Sequence, residues 1–115
     1  MHPVEVSPES GRAAVRALRS GSAPVTAIAA YNDEVALAVL AGARAEGVRV
    51  PEDLAVIGVD DVAAARLSAP PLTTVSQSAA VQARFLSDSV IAALEGRPAP
   101  AHPTDVLRLV VRESA

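Results

Sequence analysis

Two short apolar runs constrain this chain more than anything else in it. Val25-Thr26-Ala27-Ile28-Ala29-Ala30 and Leu54-Ala55-Val56-Ile57-Gly58-Val59 are brief, bounded and without alternation. Such runs predict strands buried on both faces. Each stops abruptly in polar residues, Tyr31-Asn32-Asp33-Glu34 after the first and Asp60-Asp61 after the second. Between them, Glu34 to about Glu46 carries Val35, Ala36, Val39, Leu40 and Ala43 at spacings of three and four. That spacing predicts an amphipathic helix, with Asn32 and Asp33 able to cap its start and Gly47 ending it. Strand, helix and strand within about 35 residues form a right-handed βαβ unit, so the sheet is expected to be parallel.

The flanking segments extend this α/β pattern. Ser7-Pro8-Glu9 opens a helix that continues through Ala14, Val15, Leu18 and Arg19 to a stop at Gly21. Beyond the Ala-rich piece from Val62 to Ser68, Pro70-Pro71 breaks any helix, and Leu72-Thr73-Thr74-Val75-Ser76 predicts a short strand. A third helix is expected from about Ala79 to Leu94, with Leu86, Val90, Ile91 and Leu94 along one side and Gly96 as its stop. Arg97 to Asp105 holds three prolines and predicts an extended connector. Val106 to Arg112 predicts a last strand, partly alternating and hence near an edge.

Several chemistries are excluded by composition. All ten basic residues are arginine, so neither a Walker-type phosphate loop nor Schiff-base chemistry is available. The chain has no cysteine, which removes thiol nucleophiles, disulfides and cysteine-ligated metals. A net charge of -3 without a basic cluster argues against direct grip on nucleic acid. No apolar run approaches a bilayer span, and Met1 to Glu5 lacks the regions of an export signal. A cytoplasmic protein without membrane contact is the expectation.

In a parallel sheet, ligands bind outside the carboxyl ends of the strands. If the two apolar strands are neighbours, Asn32 and Asp60 open onto one crevice. A carboxylate accepts from adjacent hydroxyls and an amide both donates and accepts, which suits a sugar or a ribose. The alternative is that Asn and Asp after strands simply cap the next helix, and this is the expectation for Asp33 and Asp61. Glu34 reads as a solvated first-turn acid, Tyr31 as core or cleft, Phe85 as core, and Thr73 and Thr74 as ordinary strand residues. His2 and His102 read as solvent-exposed. The acids Asp33, Glu34, Asp60 and Asp61 with Asn32 could hold magnesium or perform acid–base work, but no helper residue accompanies them. No catalytic residue, metal or cofactor is assigned.

From about Glu9 to Ala115 the chain resembles the C-terminal part of LacI/GalR-type transcription regulators. The matching stretches are Ser10-Gly11-Arg12-Ala13-Ala14, Thr26-Ala27-Ile28 running into Asn32-Asp33-Glu34 and Ala36-Leu37, and Val50-Pro51-Glu52-Asp53-Leu54-Ala55-Val56-Ile57-Gly58-Val59-Asp60-Asp61. Pro70-Pro71-Leu72-Thr73-Thr74-Val75 with Gln77, and Leu109-Val110-Val111-Arg112-Glu113-Ser114, complete the series. The resemblance departs at Val59, where the family usually has an aromatic residue, and at Tyr31, where it usually has a small one. Ser78 and Ala83 stand where a proline and a glycine are frequent.

The resemblance implies an incomplete, parallel-sheet type I periplasmic-binding-protein-like fold within residues 1–115. It places about 9–72 and 106–115 in the C-terminal lobe, and about 73–105 in a strand, helix and connector of the other lobe. It implies effector contacts for Asn32 and Asp60, with Tyr31 and Gln77 beside them. It also implies a homodimer surface on the helix from Asp33 to Glu46 and the segment around Ala65 to Ala69, with Val35, Leu37, Ala38, Ala41, Arg66 and Ser68. The effector would be a sugar-like or nucleoside-like molecule, and operator DNA would be held by a domain outside these residues. A periplasmic sugar-binding protein of the same fold is the alternative. A stand-alone module pairing with full-length subunits and a magnesium-dependent enzyme follow it.

Overall fold

The structure, a computed structural model, describes residues 6–104 and 106–115. Met1 to Glu5, including His2, and Asp105 at the end of the connector lie outside the described residues. Helix α1 spans Pro8–Arg19, with Pro8 in its first turn and the Ser7 hydroxyl accepting from the Ser10 N–H at 3.1 Å. It ends at Ser20, one residue before the expected Gly21. Strand β1 (Ala27–Ala29) is shorter than its apolar run; α2 (Asp33–Ala45) and β2 (Ala55–Val59) follow. A 3-10 turn at Ala63–Arg66 leads to β3 (Thr73–Gln77), α3 (Ala79–Leu94) and β4 (Leu107–Val110).

The sheet has the order β1-β2-β3-β4. The first three strands are parallel, with Ala29 opposite Ile57 and Ile57 opposite Thr73. β4 lies at the edge, as expected, but pairs antiparallel with β3, Gln77 facing Leu107 and Thr74 facing Val110. The sheet is therefore mixed rather than wholly parallel. The reason lies in the route of the chain. It leaves β3 at its carboxyl end, makes α3 and the proline connector, and returns to that same end, where the Ser78 N–H donates to Val106 O at 3.0 Å. A helix laid back along the sheet would have delivered a parallel strand. Here Phe85 of α3 rests instead on His102 of the connector, ring centroids 4.5 Å apart. The molecule is accordingly long, 58 × 25 × 23 Å with a radius of gyration of 18.1 Å, against about 13 Å for a compact domain of this length. β3 pairs with β2 in the same sheet, and the chain turns away from that sheet at Ser78, the N-cap of α3.

The core lies between the sheet and one helical layer. Ala36, Val39, Leu40 and Ala43 of α2 pack with Val15, Leu54, Val56, Ala65 and Leu72. Val35, expected in the same stripe, is half-buried. α1 crosses α2 backbone to backbone: a Cβ on Gly11 would fall 1.9 Å from Ala38 O, and one on Gly42 2.3 Å from Gly11 C. Along β2, Val56 and Gly58 are buried while Ala55, Ile57 and Val59 are only partly so. Burial on both faces is thus not realised; one face is fully covered. The aligned side chains of α3 are likewise open, with Leu86, Val90, Ile91 and Leu94 between 45% and 83% exposed and Ala92 alone buried. Phe85 is half-buried rather than core.

The final residues wedge the sheet. β2 and β3 pair from Ile57 and Thr73 onward. Just before that point the Val56 N–H donates to Ser114 O at 2.7 Å, and the Ser114 hydroxyl donates to Val56 O at 2.6 Å. The same hydroxyl accepts from the Thr73 N–H at 2.8 Å, and Ser114 is fully buried.

Candidate functional site

Because β1, β2 and β3 run in parallel, the segments after them meet at one rim. Asn32 follows β1, Asp60 follows β2 and Gln77 closes β3. The Asp60 N–H still reaches Val75 O at 2.8 Å, which holds the residue against β3. Gln77 Nε2 donates to Asp60 Oδ1 at 3.2 Å, and Gln82 Nε2 of α3 donates to Gln77 Oε1 at 3.3 Å. A chain of polar side chains therefore runs from the end of β2 onto α3.

Asn32 has the expected capping role: its Oδ1 accepts from the Val35 N–H at 2.9 Å. With the carbonyl engaged, its NH2 is the group still able to donate to a ligand. Tyr31, next to it, is 88% exposed and is not core. Asp60 and Gln77 are exposed and Asn32 is half-buried, so the rim is an open shelf bearing one carboxylate and two amides.

Two features set Asp60 and Asp61 apart. Their φ angles are 109° and 52°, in a region that costs a residue with a Cβ roughly 1–3 kcal/mol. Asp61 does not cap a helix: the 3-10 turn has no side-chain cap. Its carboxylate accepts from Arg112 Nη2 at 2.5 Å and lies 3.6 Å from Arg66. Arg112 also donates to Leu72 O at 2.7 Å, so Asp61 is anchored to the C-terminal tail while Asp60 is left facing the rim. Sequence reading separated Asp60 from Asp61 but missed the latter's partner Arg112, because that partner is 51 residues away.

Asp33 also departs from its expected role. It is fully buried at the start of α2, and its Oδ2 accepts from the Val62 N–H at 2.9 Å. Its Oδ1 accepts from the Thr74 hydroxyl at 2.5 Å. It therefore ties three segments together instead of capping its own helix. A Cβ on Gly58 would fall 2.2 Å from Asp33 Oδ1, so the glycine makes room for the carboxylate. Thr73 and Thr74 are likewise more than strand fillers: Thr73 Oγ1 accepts from the Arg112 N–H at 2.9 Å. The acids of the rim are thus committed to separate partners. Among the described residues no group of three His, Asp or Glu side chains converges to hold a metal ion.

The perturbed carboxyls lie elsewhere. Glu46 is held down to about 2, first by its hydrogen bond from Arg16 and next by that from Arg12. Asp53 is lowered to about 2 chiefly by its bond from Arg49. Glu46 ties α1 to the end of α2, Asp53 braces the turn before β2, and neither takes part in the rim.

On the expected dimer surface, Ala41 is exposed and Val35 and Leu37 are half-buried, while Ala38 is 7% exposed beneath α1. Leu37, Ala38 and Ala41 line a shallow groove of about 320 Å³ with Val6, Pro8 and Glu34. Arg66 is exposed beside Asp61; the half-buried Ser68 hydroxyl lies 2.9 Å from Ala65 O and from Pro70 O.

The described residues contain no helix long and apolar enough to cross a membrane. The periplasmic binding protein-like domain family matches residues 2–115. The HTH-type transcriptional regulator CelR of Thermobifida fusca is 37% identical over 107 residues, covering 92% of this chain and 32% of its own. A LacI family transcriptional regulator from Bifidobacterium animalis has a TM-score of 0.84 at 32% identity, over 96% of this chain and 41% of that one. A CelR–cellobiose complex has a TM-score of 0.74 at 35% identity, over 97% of this chain and 35% of that one. The chain spans between a fifth and a third of the length of the first curated relatives it matches. Those relatives are regulators and not enzymes. The mixed, mostly parallel α/β sheet and a match along nearly every residue agree: the chain belongs to the periplasmic binding protein-like domain family, alongside the LacI-type regulators.

Proposed function

We propose that this chain is the effector-sensing and dimerisation portion of a LacI/GalR-type DNA-binding repressor acting in the cytoplasm. Its effector is a sugar-like or nucleoside-like molecule bound in the longer protein. Operator DNA is held by a domain outside these residues. The observation that carries the reading is the meeting of Asn32, Asp60 and Gln77 at one strand rim, with Asp60 hydrogen-bonded to Gln77 and Asp61 turned away to Arg112. An acceptor beside two amides suits vicinal hydroxyls, and Tyr31 offers a ring to stack on a sugar face. Residues 9–72 and 106–115, with β3, form one lobe; α3 and the connector belong to the other. Closure of the lobes shifts a population only if the effector contacts them differently in the two states. Asp60 and Gln77 on one side and Gln82 on α3 are placed to supply that difference. The homodimer forms through Leu37, Ala41 and their neighbours on α2, together with Arg66 and Ser68.

A hybrid regulator tests this. Residues 9–115 replace the matching stretch of the Thermobifida fusca CelR, and operator release is screened with cellobiose, sucrose, glucose and nucleosides. A hydrogen bond to a charged group contributes roughly 1.5–3 kcal/mol. Asp60→Ala is therefore expected to weaken the response on the order of 10- to 1000-fold, and more than Asp61→Ala does. A folded hybrid that ignores every compound, or equal losses from the two substitutions, overturns the reading.

A further inference from the structure

Three consecutive residues after β2 are each tied to a different part of the fold. The Asp60 N–H donates to Val75 O at 2.8 Å, and the Val62 N–H donates to Asp33 Oδ2 at 2.9 Å. These bonds pin the two ends of a bend. Between them, the Asp61 carboxylate accepts from Arg112 Nη2 at 2.5 Å. The other terminal nitrogen of that guanidinium, Nη1, donates to Leu72 O at 2.7 Å, and the Arg112 N–H donates to Thr73 Oγ1 at 2.9 Å. One planar group thus fixes the bend after β2 against the entry to β3.

The backbone requires such a hold. Asp60 and Asp61 have φ angles of 109° and 52°, and residues with a Cβ persist there only where their surroundings over-determine the conformation. Asp61 lies in the left-handed helical region; Asp60 lies beyond it, where a Cβ is tolerated less. Rotation about φ of Asp60 swings its Cβ together with the peptide to Asp61. Holding Asp61 therefore fixes where the Asp60 carboxylate points, and that carboxylate accepts from Gln77 Nε2 at 3.2 Å. The Arg112 and Asp61 side chains are 15% and 20% exposed, so the pair is better shielded than an ordinary surface ion pair. Arg66, at 3.6 Å and 60% exposed, is the weaker partner of Asp61. Lysine cannot replace Arg112, because an ammonium has no second, rigidly spaced nitrogen for Leu72 O.

We propose that Arg112 is a positioning residue of the effector site, acting through Asp61 to hold the bend so that Asp60 faces Gln77. This rests on the effector reading above and adds to it a residue beyond β4 that is not itself on the rim. An effector that needs Asp60 in this orientation loses apparent affinity in proportion to the time the bend spends relaxed.

Two measurements test the proposal. In NMR spectra of the 115-residue protein, strong intraresidue Hα–HN cross-peaks mark a positive φ. They are expected at Asp60 and Asp61, and Arg112→Lys is expected to weaken both while the amide signals of α1 and α2 stay in place. In the hybrid regulator, Arg112→Lys and Asp61→Ala are each expected to raise the effector concentration for half-release about three- to tenfold, less than Asp60→Ala does. Together they cost no more than either alone, because they remove one interaction. Asp61→Asn, whose side chain tolerates left-handed backbone, stays within about twofold of the parent. In an Asp60→Asn background Arg112→Lys has no further effect, whereas a general loss of stability would still add. Cross-peaks that are weak in the parent or unchanged by Arg112→Lys overturn the proposal, as does an undiminished Arg112→Lys loss in the Asp60→Asn background. With a responsive parent hybrid, either result overturns the proposal alone. A parent hybrid that ignores every compound overturns the effector reading and the proposal with it.

Discussion

Replacing Asp33 by alanine withdraws two acceptors from a fully buried position. The Val62 N–H, 2.9 Å from Oδ2, and the Thr74 hydroxyl, 2.5 Å from Oδ1, both lose their partner. A buried donor left unmatched costs roughly 1–3 kcal/mol. The hydroxyl can rotate towards another acceptor, so its share falls at the low end, and the total is about 2–4 kcal/mol. A chain of this length has an expected stability of about 6–17 kcal/mol, so the loss is a large fraction of the whole. Asparagine is nearly the same shape. Its oxygen can accept from Val62 while its NH2 donates to Thr74 Oγ1, and a loss of about 1 kcal/mol is expected. Urea unfolding followed by circular dichroism, at one protein concentration for all three proteins, measures the midpoint shifts at constant slope. The expected order of stability is Asp, then Asn, then Ala. An alanine variant within about 0.5 kcal/mol of the parent, or an asparagine variant less stable than alanine, refutes the assignment of Asp33 as the tie among these segments.

Two further outcomes follow from the helical layer. Gly42→Ala places a methyl 2.3 Å from the Gly11 backbone, where neither helix has a flexible side chain to yield; about 3 kcal/mol of destabilisation is expected in the same urea assay, and a neutral effect would show that α1 is not held this closely. Glu46 has a folded pKa of about 2, below the ordinary 4.5, so its tie to Arg16 and Arg12 contributes above the ordinary value and is lost as pH falls through about 2. Glu46→Gln should lower the urea midpoint at pH 7, with the gap from the parent closing below pH 4; a gap of constant size down to pH 2 refutes the attribution.

Local chemistry was readable wherever the determining residues sit side by side. Ser7-Pro8-Glu9 marks the start of α1, and Asn32 caps α2 as its position requires. The spacing of Ala36, Val39, Leu40 and Ala43 identifies the buried stripe. What escaped was decided by distant partners. Asn32 and Asp33 are adjacent and chemically similar, yet one caps a helix and the other reaches Thr74, 41 residues on. Asp61, expected to cap a helix, is claimed instead by Arg112. Periodicity aligns Leu86, Val90 and Leu94, but it does not say whether anything covers them. The antiparallel return of β4 depends on where α3 ends up in space, which no local pattern records.

The wedge formed by Ser114 carries a consequence for the strand terminus of the molecule. Ser114 is a clasp, one hydroxyl spanning a carbonyl of β2 and an amide of β3 at the point where those strands part company. The clasp cannot close until both strands are in place, and once closed it locks their spacing. Removing that one hydroxyl, as in Ser114→Ala, would unpick the seam between β2 and β3 and loosen the loop that presents Asp60.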